Sequence, residues 1–281
     1  MSYMIGVDVG GTFTDLSVFN AERDSIFNYK LSSTPGDPSQ AIVDGIQAVL
    51  ELLNIRAEEI AYLAHGTTVA TNALIEKKGS RIGIITTEGM KDLMEIGWQK
   101  RPNLYDLLRP KPVSIIPPGL KCEVPERLLS DGSIKTPLDE AATVKVINYL
   151  KKQKVEGIAV CTLFSYLNPI HENRIKELIK EHFPEAYVSV SHELVHEFRE
   201  YSRMSTTALN AYLGPVMKKY VQHFEESVRE VGVKVNPYVT QSNGSIISIS
   251  ETIDCPIKTV RRCDRGGLHG RPVRAREYYY I

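Results

Sequence analysis

Gly6-Val7-Asp8-Val9-Gly10-Gly11-Thr12-Phe13-Thr14-Asp15 is the stretch on which the reading of the fold turns. An apolar run from Met4 to Val9 meets a Gly-Gly break and resumes to Phe19, which predicts a β-hairpin. An acid inside an apolar strand is costly unless something pairs with it, and Mg²⁺ or its water shell is a natural partner for Asp8. Gly10 and Gly11 permit backbone angles and close approaches that a Cβ forbids, while the N–H groups and hydroxyls of Thr12 and Thr14 can donate to phosphate oxygens. The glycines lead into another strand instead of a helix, and G-x-G-x-x-G is absent, so neither a Walker A loop nor a Rossmann fingerprint fits. A tight hairpin whose Asp8 only hydrogen-bonds to the turn is the alternative.

Outward from this stretch, polar Asn20 to Ser25 precedes a third strand at Ile26 to Leu31. A break at Pro35 to Pro38 leads into a helix from Ser39, a candidate N-cap, to Leu53, with Ala41, Ile42, Ile46, Val49 and Leu50 on one face. A short strand at Tyr62 to Ala64, a helix from Val69 to Glu76 and a buried strand at Ile82 to Thr86 continue the alternation. Pro102, Pro110, Pro112, Pro117 and Pro118 exclude regular helix or central strand between Gln99 and Pro118. Regular signals resume with a strand near Cys122 to Leu128, a turn at Asp131-Gly132 and a helix opening at Thr136-Pro137. A strand at Gly157 to Leu163, a helix from Asn168-Pro169 and a strand at Tyr187 to Val190 follow. After Glu193 the pattern is mainly helical to Val231 and then enters a strand at Val235 to Thr240. A hairpin followed by βα units predicts an α/β lobe with a mixed sheet.

The 281 residues carry 34 basic and 34 acidic side chains, so no basic field argues for nucleic acid or an anionic membrane surface. No charged leader with an apolar core opens the chain, and no run of about 18 apolar residues occurs, so the expectation is a soluble cytoplasmic protein. Cys122, Cys161, Cys255 and Cys263 form no C-x-x-C pair and read as reduced structural thiols.

The hairpin loop resembles the phosphate loop of actin-like ATPases and sugar kinases. The chain as a whole resembles the hydantoinase A / 5-oxoprolinase family, which includes ATP-dependent N-methylhydantoinase and acetone carboxylase subunits. The resemblance rests on GVDVGGTFTD at 6–15, HGTTVATNALIEKKG at 65–79, EIGWQKRPNLYDL at 95–107, CEVPERL at 122–128 and LFSYLNPIHE at 163–172. It continues in SHELVHEFREYSRMSTTALNAY at 191–212 and QSNG at 241–244. It implies an actin-like, ribonuclease-H-like lobe over residues 1–184, the start of a second hydantoinase A domain over 185–260, and ATP with Mg²⁺ as cofactors.

The implied activity is opening of a cyclic amide, or carboxylation of a ketone in relatives, through phosphorylation of a substrate oxygen. Phosphate leaves more readily than an amide or enolate oxygen, which is the physical reason for spending ATP. Asp8 would hold the metal, with Gly10, Gly11, Thr12 and Thr14 around phosphate. His65 would be a polar site residue, and Thr67, Thr68, Asn72, Arg199, Glu200 and Arg203 would be substrate candidates. For these the competing readings are helix capping by Thr67 and Thr68, local bonding of His65, and a solvated helix face for the charges. A partner subunit of the hydantoinase B type is implied. A non-catalytic assembly module and a small sugar or acid kinase are the other functions considered.

His192-Glu193-Leu194-Val195-His196 matches the H-E-x-x-H zinc pattern, but it follows a strand directly and no downstream third ligand has a diagnostic spacing. Residues 261–281, RRCDRGGLHGRPVRAREYYYI, show no hydrophobic periodicity and depart from the family pattern as an arginine-rich tail. Ser202 stands where relatives commonly have an acid, and Ser245 where QSNGG is usual. The expectation is therefore a truncated chain that is inactive alone.

Overall fold

The computed structural model describes residues 2–34, 38–99, 105, 108 and 113–260. It begins with β1 (Tyr3–Val9), β2 (Phe13–Asn20), β3 (Ser25–Ser32), α1 (Pro38–Leu53), β4 (Ile60–Thr67) and α2 (Val69–Ile75). Next come β5 (Ile82–Thr87), α3 (Leu93–Ile96), β6 (Lys121–Val124), β7 (Arg127–Leu128), β8 (Ile134–Thr136) and α4 (Glu140–Lys152). The remainder is β9 (Gly157–Cys161), α5 (Ile170–His182), β10 (Tyr187–Val190), α6 (Ser191–Leu194), α7 (Glu200–Glu230), β11 (Tyr238–Thr240), β12 (Ile246–Ser248) and α8 (Ile249–Asp254). These elements form two compact units, the first made from the chain up to Lys78 together with the stretch from Val216, the second from Gly79–Pro215. The division expected after residue 184 falls inside the second unit. The expected arginine-rich tail, and most of the proline-bearing segment, lie outside the described residues.

The first unit is built on a six-stranded mixed sheet in the order β12-β11-β4-β1-β2-β3. β1 pairs antiparallel with β2 and parallel with β4, which pairs parallel with β11. Alternation along β1 buries Tyr3, Ile5, Val7 and Val9, and β2 answers with Thr14, Leu16 and Val18 on the same face. α1 covers that face with Ala41, Ile42, Ile46 and Val49, each fully buried. A large aliphatic side chain so enclosed contributes about 1.5–3 kcal/mol. Gly45 lets the helix lie this close, since a Cβ there would stand 2.6 Å from Leu16 Cδ1. In the part of α7 belonging to this unit, Met217, Val221, Phe224 and Val228 are buried at helical spacing.

The second unit centres on a parallel sheet in the order β10-β9-β5-β6. β5 and β9 are buried at every residue, which is why both read as near-continuous apolar runs. α4 and α5 contribute Ile147, Leu150, Ile175, Leu178 and Ile179 to its core. The strand expected over Cys122 to Leu128 is divided into β6 and β7 around Pro125, which has no N–H for a ladder. The helix expected from Thr136-Pro137 begins instead at Glu140, because Asp139 accepts the Ala142 N–H at 2.9 Å and Thr136 closes β8. The strand expected from Val235 starts only at Tyr238, just past Pro237.

Candidate functional site

In the first unit the hairpin turn is closed by the Gly10 N–H donating to the Phe13 carbonyl at 3.0 Å. Ser33, beyond β3, pins it further: its N–H donates to the Thr12 carbonyl at 2.9 Å and its hydroxyl to the Gly10 carbonyl at 2.8 Å. The Ser33 oxygen also lies 2.9 Å from Thr14 Oγ1, and since its own proton goes to Gly10, Thr14 is the donor. Thr14 is fully buried, so its hydroxyl braces the turn from the inner face. Gly11 and Thr12 are exposed.

Asp8 is exposed, which corrects the expectation of a carboxylate enclosed in an apolar strand. The cause is the period of two: Val7 and Val9 point inward, and Asp8 between them points to the opposite face. It stands opposite Asp15 across the antiparallel ladder and Gly66 across the parallel one. Asp15 pairs with Lys30 at 3.0 Å, both side chains being more than half exposed, a pair worth about 0–1 kcal/mol. Neither Gly10 nor Gly11 has a positive φ, so the turn does not use the backbone freedom expected of them. What Gly11 supplies is room, since a Cβ there would meet no heavy atom within 4 Å, and Gly6 on the same strand face as Asp8 is equally open.

The second cluster divides across the same sheet. His65 pairs in register with Val7 and is therefore on the inner face, away from Asp8. It is fully buried, lies 2.5 Å from the Tyr220 hydroxyl through Nε2, and packs on the Phe224 ring with centroids 4.9 Å apart. Its bond is thus to α7, distant in the chain, and not local. Thr67 is buried and its Oγ1 accepts the Val69 N–H at 3.2 Å. Thr68 occupies the N-cap of α2 without capping through its side chain; its Oγ1 accepts from Asn72 Nδ2 at 3.3 Å. Asn72 is exposed.

Arg199, Glu200 and Arg203 do not share a solvated face. Arg199 is exposed, with its guanidinium carbon 5.8 Å from the Trp98 ring centroid and 5.3 Å from that of Phe198. Glu200 is partly exposed at the start of α7. Arg203 has no exposed surface; its Nη2 donates to the Thr162 carbonyl at 2.9 Å, to Ser191 Oγ at 2.7 Å and to Ser165 Oγ. Glu172 Oε1 lies 3.9 Å from the same nitrogen.

Glu172, absent from the sequence-derived candidates, is the hub of this buried cluster at the carboxyl ends of β9 and β10. It accepts the Thr162 N–H at 2.8 Å, Ser191 Oγ at 2.7 Å, the His192 N–H at 3.0 Å and His192 Nδ1 at 2.7 Å. Burial pushes its carboxyl up, but the bonds from His192, Ser191 and the two N–H groups outweigh that and hold it below the ordinary value. A neighbouring buried acid, Glu126, accepts from Thr87 Oγ1 and lies 2.6 Å from His171 Nδ1. α6 ends at Leu194 and Val195 is extended, so His192 and His196 lack the shared helical face of the zinc pattern. Glu193, the acid between them, pairs with Lys176 at 2.5 Å. Among the described residues no group of three or more His, Cys, Asp and Glu is arranged to hold a metal.

Comparison with known proteins gives matches along most of the chain. Residues 4–183 match the family described as hydantoinase/oxoprolinase N-terminal region, and residues 203–270 match hydantoinase/oxoprolinase. An uncharacterized protein of Methanocaldococcus jannaschii is 38% identical over 259 residues, covering 91% of this chain and 38% of the relative. The caprolactamase subunit alpha of Pseudomonas jessenii is 36% identical over 250 residues, covering 87% of this chain and 36% of the relative. The crystal structure of the ATP-dependent caprolactamase from Pseudomonas jessenii superposes with a TM-score of 0.79 at 35% identity, over 86% of this chain and 36% of that one. The chain therefore spans somewhat more than a third of the length of these relatives.

Proposed function

We propose, on the premise that the chain belongs to the hydantoinase/oxoprolinase family, that it carries the first phosphate-binding elements of an ATP-dependent enzyme that opens a cyclic amide. The observation that carries this reading is the open face at the hairpin, where exposed Asp8 lies beside the unfilled space of Gly6 and Gly11 on a turn braced by Ser33 and Thr14. That arrangement fits a polyphosphate with its metal. Asp8, exposed on the strand that leads into the turn, is the acid that would hold Mg²⁺, which keeps several waters when it binds through one or two carboxylates. Gly11 admits phosphate oxygens close to the backbone, and Thr12 is exposed to donate to them. Bound Mg-ATP supplies the phosphoryl group that makes the amide oxygen a leaving group.

The relative named caprolactamase subunit alpha supports a second subunit, which we take to be of the hydantoinase B type. No helix among the described residues is long and apolar enough to cross a membrane, and we place the protein in the cytoplasm. The division at residues 184 and 260 is kept as the proposed family boundary. Titration calorimetry of the chain with Mg-ATP, against the Asp8→Ala variant, tests the site: binding is expected in the first and lost in the second. Equal heats from both would remove Asp8 from it. Activity is tested with the partner present, where a ring-opened product supports the amide hydrolase and a phosphorylated, unopened ring supports a kinase.

A further inference from the structure

Two hairpin tips, one in each unit, are built on the same contacts. Between β7 and β8 the sequence is Asp131-Gly132-Ser133, and between β11 and β12 it is Asn243-Gly244-Ser245. In each the glycine has a left-handed backbone, at φ 82° and 85°, and its N–H donates three residues back, to the Leu129 carbonyl at 2.9 Å and the Gln241 carbonyl at 3.1 Å. In each the Oδ1 of the first residue accepts the N–H and the hydroxyl of the serine, at 2.9 and 2.6 Å from Ser133 and at 2.9 and 2.7 Å from Ser245. The tips differ in one group, a carboxylate in the first and a carboxamide in the second. They also differ in what stands behind the glycine. A Cβ at Gly132 would lie 3.7 Å from Leu167 Cβ, and its carbonyl accepts from Asn168 Nδ2 at 2.9 Å. A Cβ at Gly244 would meet no heavy atom within 4 Å, and both Asn243 and Gly244 are exposed.

An asparagine followed by glycine is chemically labile, because no Cβ hinders approach of the glycine nitrogen to the side-chain carbonyl carbon. Asn243-Gly244 is the chain's single Asn-Gly pair. We propose that Asn243 is a site of spontaneous deamidation. The Gly244 nitrogen, having lost its proton to hydroxide, bonds to Cγ of Asn243; the Cγ–Nδ2 bond breaks, and the nitrogen takes a proton from water and leaves as ammonia. Water then opens the cyclic imide at either carbonyl, giving aspartate or isoaspartate. The net change exchanges one amide nitrogen for one oxygen, with no oxidant or cofactor consumed. The two Ser245 donors already sit on Oδ1, where negative charge develops during the attack. The opposing factor is the bond from the Gly244 N–H to Gln241, which must open first. The first tip shows that an acid fits this turn: the Ser133 hydroxyl and N–H hold the Asp131 carboxyl below its ordinary value. Isoaspartate adds a methylene to the backbone and breaks the tip.

The full chain is incubated in mildly alkaline buffer beside the same chain unfolded in guanidinium chloride. Peptide masses locate the conversion, and enzymatic methylation detects isoaspartate. The expected result is conversion at Asn243 alone among the asparagines of the folded chain, faster at higher pH. One exposed turn bond must open, so the folded chain should lag the unfolded one by no more than about tenfold. In heavy-oxygen water the product should gain one labelled oxygen. Asn243→Gln should lose the conversion, and Asn243→Asp should keep the thermal midpoint of the unaltered protein. An Asn243 still intact in the folded chain after a time well beyond that tenfold lag, or faster conversion at another asparagine, overturns the proposal. A lowered midpoint in Asn243→Asp overturns the likeness of the two tips on which it rests.

Discussion

Asp8 and Glu172 are both acids near the carboxyl ends of strands, and the two units treat them in opposite ways. Asp8 is exposed on a strand of a mixed sheet, where alternation turns it away from the face that α1 covers. Glu172 lies at the end of a parallel sheet whose central strands are buried on both faces, and it is enclosed with Arg203, His192 and Ser191. A charge that remains exposed costs the fold little desolvation and can be reached by a ligand. A charge enclosed in this way is committed to its partners, because removing any one strands another in low dielectric.

The largest test of this contrast is Glu172→Gln, which leaves Arg203 buried without its counter-charge. Breaking a buried pair from one side costs about 3–5 kcal/mol. The thermal midpoint should fall by roughly 10 °C or more on the usual scale for domains of this size. The pH dependence has a definite sign. Because the folded carboxyl is held below its ordinary value of 4.5, its stabilisation is present above that value and is lost as pH falls through the lower folded one. The Gln variant has no such loss, so melts in increasingly acid buffer should bring the two proteins together. Parallel curves at every pH would show that Glu172 is not the titrating hub.

The contrast was only partly legible in the sequence. Long elements with clear periodicity, such as β1, β2, α1 and α5, are readable because each carries its own burial pattern. β8 is not, since all three of its residues are exposed and leave no pattern. Asp8 shows how a correct motif can carry a wrong environment: Met4, Gly6 and Asp8 alternate with Ile5, Val7 and Val9, so the period of two already turned the acid outward. Reading the stretch as one apolar run concealed it. Arg203 could not be placed from its spacing to Arg199, because its burial depends on residues 162, 165, 172 and 191, joined to it only by the tertiary fold. Ser33 was hidden for the same reason, as its partners Gly10 and Thr14 lie on the far side of β3.

Effects of intermediate size are expected at the brace of the phosphate turn. Ser33→Ala removes the bond to the Gly10 carbonyl and leaves the Thr14 hydroxyl buried without its acceptor. An unsatisfied buried group of this kind costs about 1–3 kcal/mol, measurable as a lower urea midpoint with an unchanged slope. Asp8→Ala should be smaller still, within about 0.5 kcal/mol, as for exposed positions generally. The same variant should lose all stabilisation by Mg-ATP, which otherwise grows with the ratio of free ligand to Kd. A large loss of stability in Asp8→Ala would break the contrast with Glu172.

The smallest effect on the fold, and the most discriminating for the site, is expected for Gly11→Ala. Gly11 does not have a positive φ, and a Cβ built there meets no heavy atom within 4 Å, so alanine meets neither backbone strain nor a clash. Alanine also narrows the unfolded ensemble, and at a compatible position this substitution stabilises by about 0.4–1 kcal/mol. A glycine retained only for folding would therefore be improved by the change. If the empty space is where phosphate approaches the backbone, the added methyl stands in its path and Mg-ATP affinity falls while the thermal midpoint holds or rises. Calorimetry and melting on one sample separate the two quantities. Unchanged affinity in the stabilised variant would mean that the space above Gly11 is not used by phosphate, leaving Asp8 to be explained without it.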